Sequence, residues 1–206
     1  MEDVTIEHGL APRHRWRAAE IVYEAFRRKF DPLLGTREHA LALFAASLQA
    51  DRALVALQRG EVVGLAGLQY GGRKSLVYRW PDVAREYGLL RGLPRMAVLH
   101  FLGSPARPGE LAIEHLAVAA ALRGRGIGTR LVETACALAR SWGLDVVRLD
   151  VVDTNPGARR LYERLGFQPT DTLRFPLLFR LAGFSAITTM VKRLDRASAP
   201  RPPGDA

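Results

Sequence analysis

Two apolar strands joined across a glycine-rich turn and an amphipathic helix restrict this chain more than any other feature of its sequence. The run reads "LAIEHLAV", then "RGRGIG" (Arg123 to Gly128), then "TRLVETACALARSWG", then "LDVVRLDVV". Strands this apolar are of the buried type, and a helix between two of them lets them pair in parallel. Such a crossover is right-handed in nearly every sheet. Ile127, Leu131, Ala135, Leu138 and Trp142 fall along one face of the helix, and Gly143 closes it. A short helix, "NPGARRLYERLG", follows, with Asn155 as N-cap and Pro156 at its first position. The class is therefore mixed α/β.

The rest of the chain reads less sharply. "VTIEHGL" opens as a short strand, and "RHRWRAAEIVYEAFRRKF" follows as a helix that Asp31-Pro32 is expected to end. "TREHALALFAASL" is a second helix with Thr36 as N-cap. Then the period changes, and "RALVALQRGEVVGLAGLQY" is two strands around the turn "QRGE". The segment 73–110 is irregular, helical in two pieces that Gly92 and Pro94 are expected to separate. "RFPLLFRLAGFSAITTMVKRL" reads as a terminal hairpin, and residues 195–206 have the composition of a disordered tail. A chain of 206 residues can bury a full core, so one domain over 1–194 is the simplest organisation.

Several function classes drop out early. No run of about 18 uncharged apolar residues exists, because Arg174 and Arg180 interrupt the longest candidate. The opening "MEDVTIEHGL" has no apolar stretch of the secretory kind, and Cys136 is the single cysteine. A soluble, cytoplasmic protein with no membrane partner is the expectation. The formal charge of +9 raises nucleic acid as a partner, yet the arginines are dispersed and no basic strand face carries interleaved aromatics. A polyanionic cofactor accounts for part of that excess.

The glycine turn suits such a cofactor. Gly124, Gly126 and Gly128 stand where a strand ends and a helix begins, so the first helical turn presents unpaired N–H groups and a partial positive charge. Glycine lets the backbone approach a phosphate closely, and Arg123 and Arg125 add charge and donors. A plain tight turn with solvated arginines is the alternative. Two nucleotide motifs fail: the spacing is not G-x-G-x-x-G, and no Gly-Lys-Ser/Thr ending is present.

At this point a resemblance emerges. Arg123-Gly124-Arg125-Gly126-Ile127-Gly128 fits [Gln/Arg]-x-x-Gly-x-[Gly/Ala] and resembles the acyl-CoA pyrophosphate loop of the GNAT superfamily of N-acetyltransferases. Leu116, Ala117 and Val118 are similar to the ending of that family's fourth strand, whose backbone pairs with the pantetheine arm. "NPGARRLYERLGF" (Asn155 to Phe167) resembles the family's N-x-x-A-x-x-x-Y-x-x-x-G-F segment at every position. The resemblance is strong over 111–167 and looser over the first 70 residues. It implies a mixed, strongly twisted central sheet of six or seven strands flanked by helices. It also implies acetyl-CoA as co-substrate, no metal, and a small-molecule or peptide amine as acceptor. Assembly as a homodimer stays open.

The resemblance implies roles for single residues. Leu116 to Val118, the loop Arg123 to Gly128, Thr129, Asn155 and Tyr162 would contact the cofactor. Tyr162 would protonate the departing thiolate; the unperturbed pKa of a phenol, about 10, lies near that of a thiol. By spacing alone Tyr162 is equally a half-buried core residue. The N–H of Val118, or of its neighbour Ala117, would polarise the thioester carbonyl. Two central strands would splay there, a feature that nothing in the sequence displays. Arg130, Arg159 and Arg160 would reach a 3′-phosphate or face water.

Glu114 needs its own account. Strand alternation places Glu114, Leu116 and Val118 on one face and His115 on the other, so a carboxylate shares a face with apolar neighbours. The family often places its general base on this strand, and Glu114 is the candidate, with a surface or ion-paired carboxylate as the alternative. Cys136 sits among Ala135, Ala137 and Leu138 and reads as a packed thiol, not a nucleophile. The segment 73–110 departs from a short family connection and is expected to form an acceptor-site insertion. Tyr78, Trp80, Tyr87, Arg91, Arg95 and His100 are its candidate contacts, and arginines facing the cleft would suit an acceptor carrying a carboxylate. Two rivals remain: a non-catalytic acyl-CoA-binding module, and a basic nucleic-acid or ribosome-associated protein.

Overall fold

The computed structural model describes residues 4–101, 106–174 and 184–194. Its centre is a seven-stranded sheet in the order β1-β2-β3-β4-β5-β7-β6. The strands are β1 (Val4–His8), β2 (Ala53–Gln58), β3 (Glu61–Gln69), β4 (Glu110–Val118), β5 (Val146–Val152), β6 (Gln168–Arg174) and β7 (Ala186–Arg193). All neighbours run antiparallel except β4 and β5, which pair in parallel as the apolar run requires.

Helices cover both faces. On one side α4 (Ile127–Ser141) and α5 (Pro156–Arg164) pack on Leu111, Ile113, Val147, Leu149 and Val151. On the other, α1 (Arg15–Leu34), α2 (Arg37–Ser47) and α3 (Trp80–Phe101) enclose a second core with Val55, Leu65 and Ala117. The caps read from sequence are present: Thr36 accepts from the His39 N–H, and Asn155 from the Ala158 N–H. Among the described residues no helix is long and apolar enough to cross a membrane.

Three boundaries differ from expectation. The first helix does not stop at Asp31-Pro32 but runs to Leu34, where Gly35 (φ 74°) ends it. Pro32 lies in the last turn and forfeits one backbone hydrogen bond there; Asp31 anchors that turn by accepting from the Tyr23 hydroxyl (2.8 Å) and the Arg27 guanidinium (3.0 Å). In α3 the break falls at Gly88 (φ 70°, ψ 173°), not at Gly92 and Pro94. Only glycine adopts such a backbone without strain, whereas Gly92 is buried beside the Trp80 ring. The terminal hairpin pairs Gln168–Arg174 with Ala186–Arg193; residues 175–180, expected to form its first arm, lie outside the described residues. β6 is exposed along its whole length and contains Pro169, as an edge strand tolerates, so it carries no alternating apolar pattern.

Candidate active site

The parallel pair at the centre of the sheet does not stay paired. β4 and β5 are in register from Glu110 opposite Val146 to Ile113 opposite Leu149, and there the pairing stops. β4 continues to Val118 against β3, and β5 continues to Val152 against β7, so the strands part and leave a gap. A bulge accompanies the parting. Against β3 the register passes from His115 opposite Gly67 to Ile113 opposite Leu68, leaving Glu114 as an extra residue of β4. Bulges bend a strand and increase its local twist, which turns the end of β4 away from its neighbour.

The ladder with β3 fixes which amides face the gap. Ala119 N–H donates to Val63 O (2.9 Å), and in an antiparallel pair hydrogen-bonded positions alternate with unbonded ones. Ala117, opposite Leu65, therefore presents its amide to β3, whereas Val118, opposite Gly64, turns its N–H toward the gap. The Val118 carbonyl is held from the loop by Arg123 Nε at 3.1 Å.

Immediately beyond lies the glycine turn. Gly124 (φ 77°) and Gly126 (φ 80°) both have left-handed backbone, and no atom lies within 4 Å of where a Cβ would stand. Conformation, not crowding, demands glycine here. Gly126 is the N-cap of α4 and offers no side-chain acceptor, and the first bond of the helix runs from Arg130 N–H to Gly126 O (3.0 Å). The amides of Ile127, Gly128 and Thr129 precede that bond, so the helix does not use them. A Cβ on Gly128 would meet Leu161, Leu116 and Val118 at 3.7 to 3.9 Å, so the first turn of α4 lies directly against β4 and α5. Arg123 and Arg125 are exposed.

Tyr162 belongs to the core on the α4 side, with the Phe167 ring 6.1 Å away. Burial pushes its phenol up to about 12. The sequence-level match between phenol and thiol is thus loosened: Tyr162 keeps its proton throughout the neutral range and is a weaker acid than an exposed tyrosine.

Glu114 departs from the expected alternation. Its Oε2 accepts from Ser75 N–H (2.6 Å) and from Ser75 Oγ (2.5 Å), and that same Oγ lies 3.4 Å from His115 Nδ1. Glu114 and His115 therefore both reach Ser75, while Leu116 and Val118 pack toward α4. The bulge is the cause, since one extra residue shifts every later side chain to the other face. The His115 ring occupies the space beside Gly67, where a Cβ would come within 1.9 Å of it. Burial lowers the His115 pKa to about 4, and among the described residues Nε2 has no hydrogen-bond partner. A neutral ring of that kind is a poor base.

The groups around Glu114 complete the site. Gln69, Glu114, Arg148 and Asp150 are among the residues lining a cavity of about 50 Å³ at the crotch of the two strands. Arg148 bridges Glu110 (3.6 Å) and Asp150 (3.5 Å). Burial, then the charge of Glu114, then Tyr87 raise the Tyr78 phenol well above its ordinary value. Within the 73–110 segment, Ser75 is hydrogen-bonded to Glu114, and Tyr78 stands close enough to feel its charge. Three of its arginines have partners away from Glu114: Arg73 pairs with Asp51 (3.2 Å), Arg85 pairs with Asp82, and Arg95 lies over the Tyr87 ring at 4.8 Å, while Arg91 is exposed. The His100 side chain lies outside what the structure describes. Sequence reasoning passed over Ser75, Arg148 and Gly67. Only Gly67 carried a local signal, since a glycine inside a strand marks a close approach.

The fold of this chain is similar to the folds of solved N-acetyltransferases. An N-acetyltransferase from Staphylococcus aureus Mu50 superposes with a TM-score of 0.64 at 19% identity, over 91% of this chain and 100% of that one. A GCN5-related N-acetyltransferase from Kribbella flavida gives 0.62 at 21% identity, over 93% and 98%. The model of the acetyltransferase (GNAT) family matches residues 19–167, and the chain belongs to that family. Among curated relatives, rat N-acetyltransferase 8B (Rattus norvegicus) is 38% identical over 79 residues, 38% of this chain and 36% of its own length. The probable N-acetyltransferase camello of Xenopus laevis is 34% identical over 86 residues, 42% and 38% of the two chains. The match thus spans well under half of these relatives.

Proposed function

We propose that this protein transfers the acetyl group of acetyl-CoA to a primary amine by direct attack within a ternary complex. The parting of β4 from β5 carries this reading, because it turns the Val118 N–H into a gap that ends at the unpaired first turn of α4. The pyrophosphate sits on the amides from Gly124 to Thr129, with Arg123 and Arg125 beside it, and the pantetheine arm runs along Leu116 to Val118. The amine attacks the thioester carbon, forming the N–C bond, and the Val118 N–H stabilises the oxyanion. Glu114, or a water it holds, takes the proton from nitrogen. The C–S bond breaks and Tyr162 protonates the sulfur. Asn155 holds α5, and hence Tyr162, in place through its cap. Alignment of both reactants supplies much of the acceleration.

On the acceptor side, Ser75, bonded to Glu114, and Tyr78, raised in part by its charge, belong to the wall of the site. The acceptor is a small molecule or peptide with a primary amine. Calorimetric titration with acetyl-CoA tests the donor half of the reading. Thiol release with a panel of amino acids, tetrapeptides with free N-termini, spermidine and glycinamide tests the acceptor half. Binding without thiol release from any of these amines would turn the reading to a non-catalytic acyl-CoA module, and no binding would remove it.

A further inference from the structure

Glu114 is held by a residue from outside its own strand. As the extra residue of the β4 bulge it has no opposite number on β3, so the ladder does not pair it. The two bonds to its Oε2 come instead from Ser75, across 39 residues of sequence. Ser75 is 1% exposed and belongs to the connection between β3 and α3. That connection is tied to the end of α2. Gln49 N–H donates to Ser75 O (2.9 Å), Val77 N–H donates to Ser47 O (3.0 Å), and Leu48 and Leu76 form a bridge between them. The helical layer, not β4, therefore sets where the serine stands.

A carboxylate that accepts two donors on one oxygen is fixed in orientation and keeps lone pairs on the other. The geometry points to Ser75 as a positioning residue for proton removal: its hydroxyl and amide hold the Glu114 carboxylate at the crotch of β4 and β5, leaving Oε1 to take the proton. No bond to Ser75 forms or breaks, and its own proton stays on Oγ. The proton lost by the attacking nitrogen passes to Glu114 or to its water. His115, the other group within reach of Ser75 Oγ, is buried and neutral and does not compete for this role. The inference rests on Glu114 being the base.

A double-mutant cycle tests it, read as thiol release from acetyl-CoA with the same amine panel. Ser75→Ala is expected to lower kcat about ten-fold, with the KM for acetyl-CoA unchanged. In a Glu114→Gln background, itself about a hundred-fold slower, the same change is expected to alter kcat less than two-fold. Loss by the same factor in both backgrounds assigns Ser75 a merely structural role and overturns the inference, as does no loss in the wild type. Full activity of Glu114→Gln, or a wild type that releases no thiol, removes the base reading itself, a failure distinct from that of Ser75. Should Ser75→Ala fold poorly, Ser75→Cys fills the same space with a weaker donor and is expected to show the same non-additivity.

Discussion

The run from β4 to α5 and the segment from Ser75 to α3 face the same carboxylate, yet their sequences speak of it very differently. In the first, each position follows from its neighbours: a left-handed glycine at an N-cap, an apolar helix face, an asparagine that caps α5. In the second, position is set at a distance. Ser75 is placed by the end of α2, and Arg73, two residues before it, by Asp51. The proposed donor half of the site is thus written locally, and the proposed acceptor half depends on contacts between elements far apart in the chain.

The largest expected effect lies at the seam between the two, where His115 is held neutral. Its pKa falls from the ordinary 6.5 to about 4 on burial, so below pH 6.5 the unfolded chain binds a proton that the folded one refuses. Stability is therefore full above pH 6.5 and declines toward pH 4, by about 3 kcal/mol from this group. Urea unfolding of wild type and His115→Gln at several pH values is expected to show a flatter dependence in the variant. Parallel curves would mean that the ring is not the group responsible.

Next comes Gly67→Ala, which forces a Cβ to within 1.9 Å of the His115 ring and is expected to cost about 2 kcal/mol. The Gly67→Ala/His115→Ala pair should be non-additive, because the second change removes the clash. Gly128→Ala, with contacts of 3.7 to 3.9 Å, should cost little and serves as the control.

A matched pair of glycines sharpens the contrast further. Gly126 (φ 80°) and Gly88 (φ 70°) both have open space around the missing Cβ, so alanine meets only backbone strain, about 1 kcal/mol at Gly126 and about 2 kcal/mol at Gly88, whose ψ of 173° falls in a region essentially confined to glycine. Only the change at Gly126 should weaken acetyl-CoA in calorimetry. Equal affinity in both variants would break the division into donor and acceptor regions. The smallest effect is that of Arg95→Ala, about 0.5 kcal/mol from the lost stacking on Tyr87. It should leave acetyl-CoA binding untouched.

What was legible follows the same line. The parallel pair, both caps and the glycine loop declare themselves because the stretch of chain that needs each residue is only a few positions long. The bulge at Glu114 could not be read, since a residue is extra only in relation to the register of β3. Without it, strict alternation put Glu114 and His115 on opposite faces, when both reach Ser75. β6 was hidden for a different reason: an exposed edge strand has no core face, hence no period to detect. In α3, Gly92 and Pro94 carry the commoner breaking signals, yet Gly88 takes the left-handed turn.

The register between β4 and β5 holds for four residue pairs, at one end of strands nine and seven residues long. Mechanically this makes the sheet two plates, β1 to β4 and β5 to β6, joined along a hinge pin of about 10 Å. A pin so short resists sliding well and twisting poorly. The β4–β5 ladder alone therefore fixes the angle between the plates weakly, and α4, packed against both β4 and β5, does the rest of the bracing.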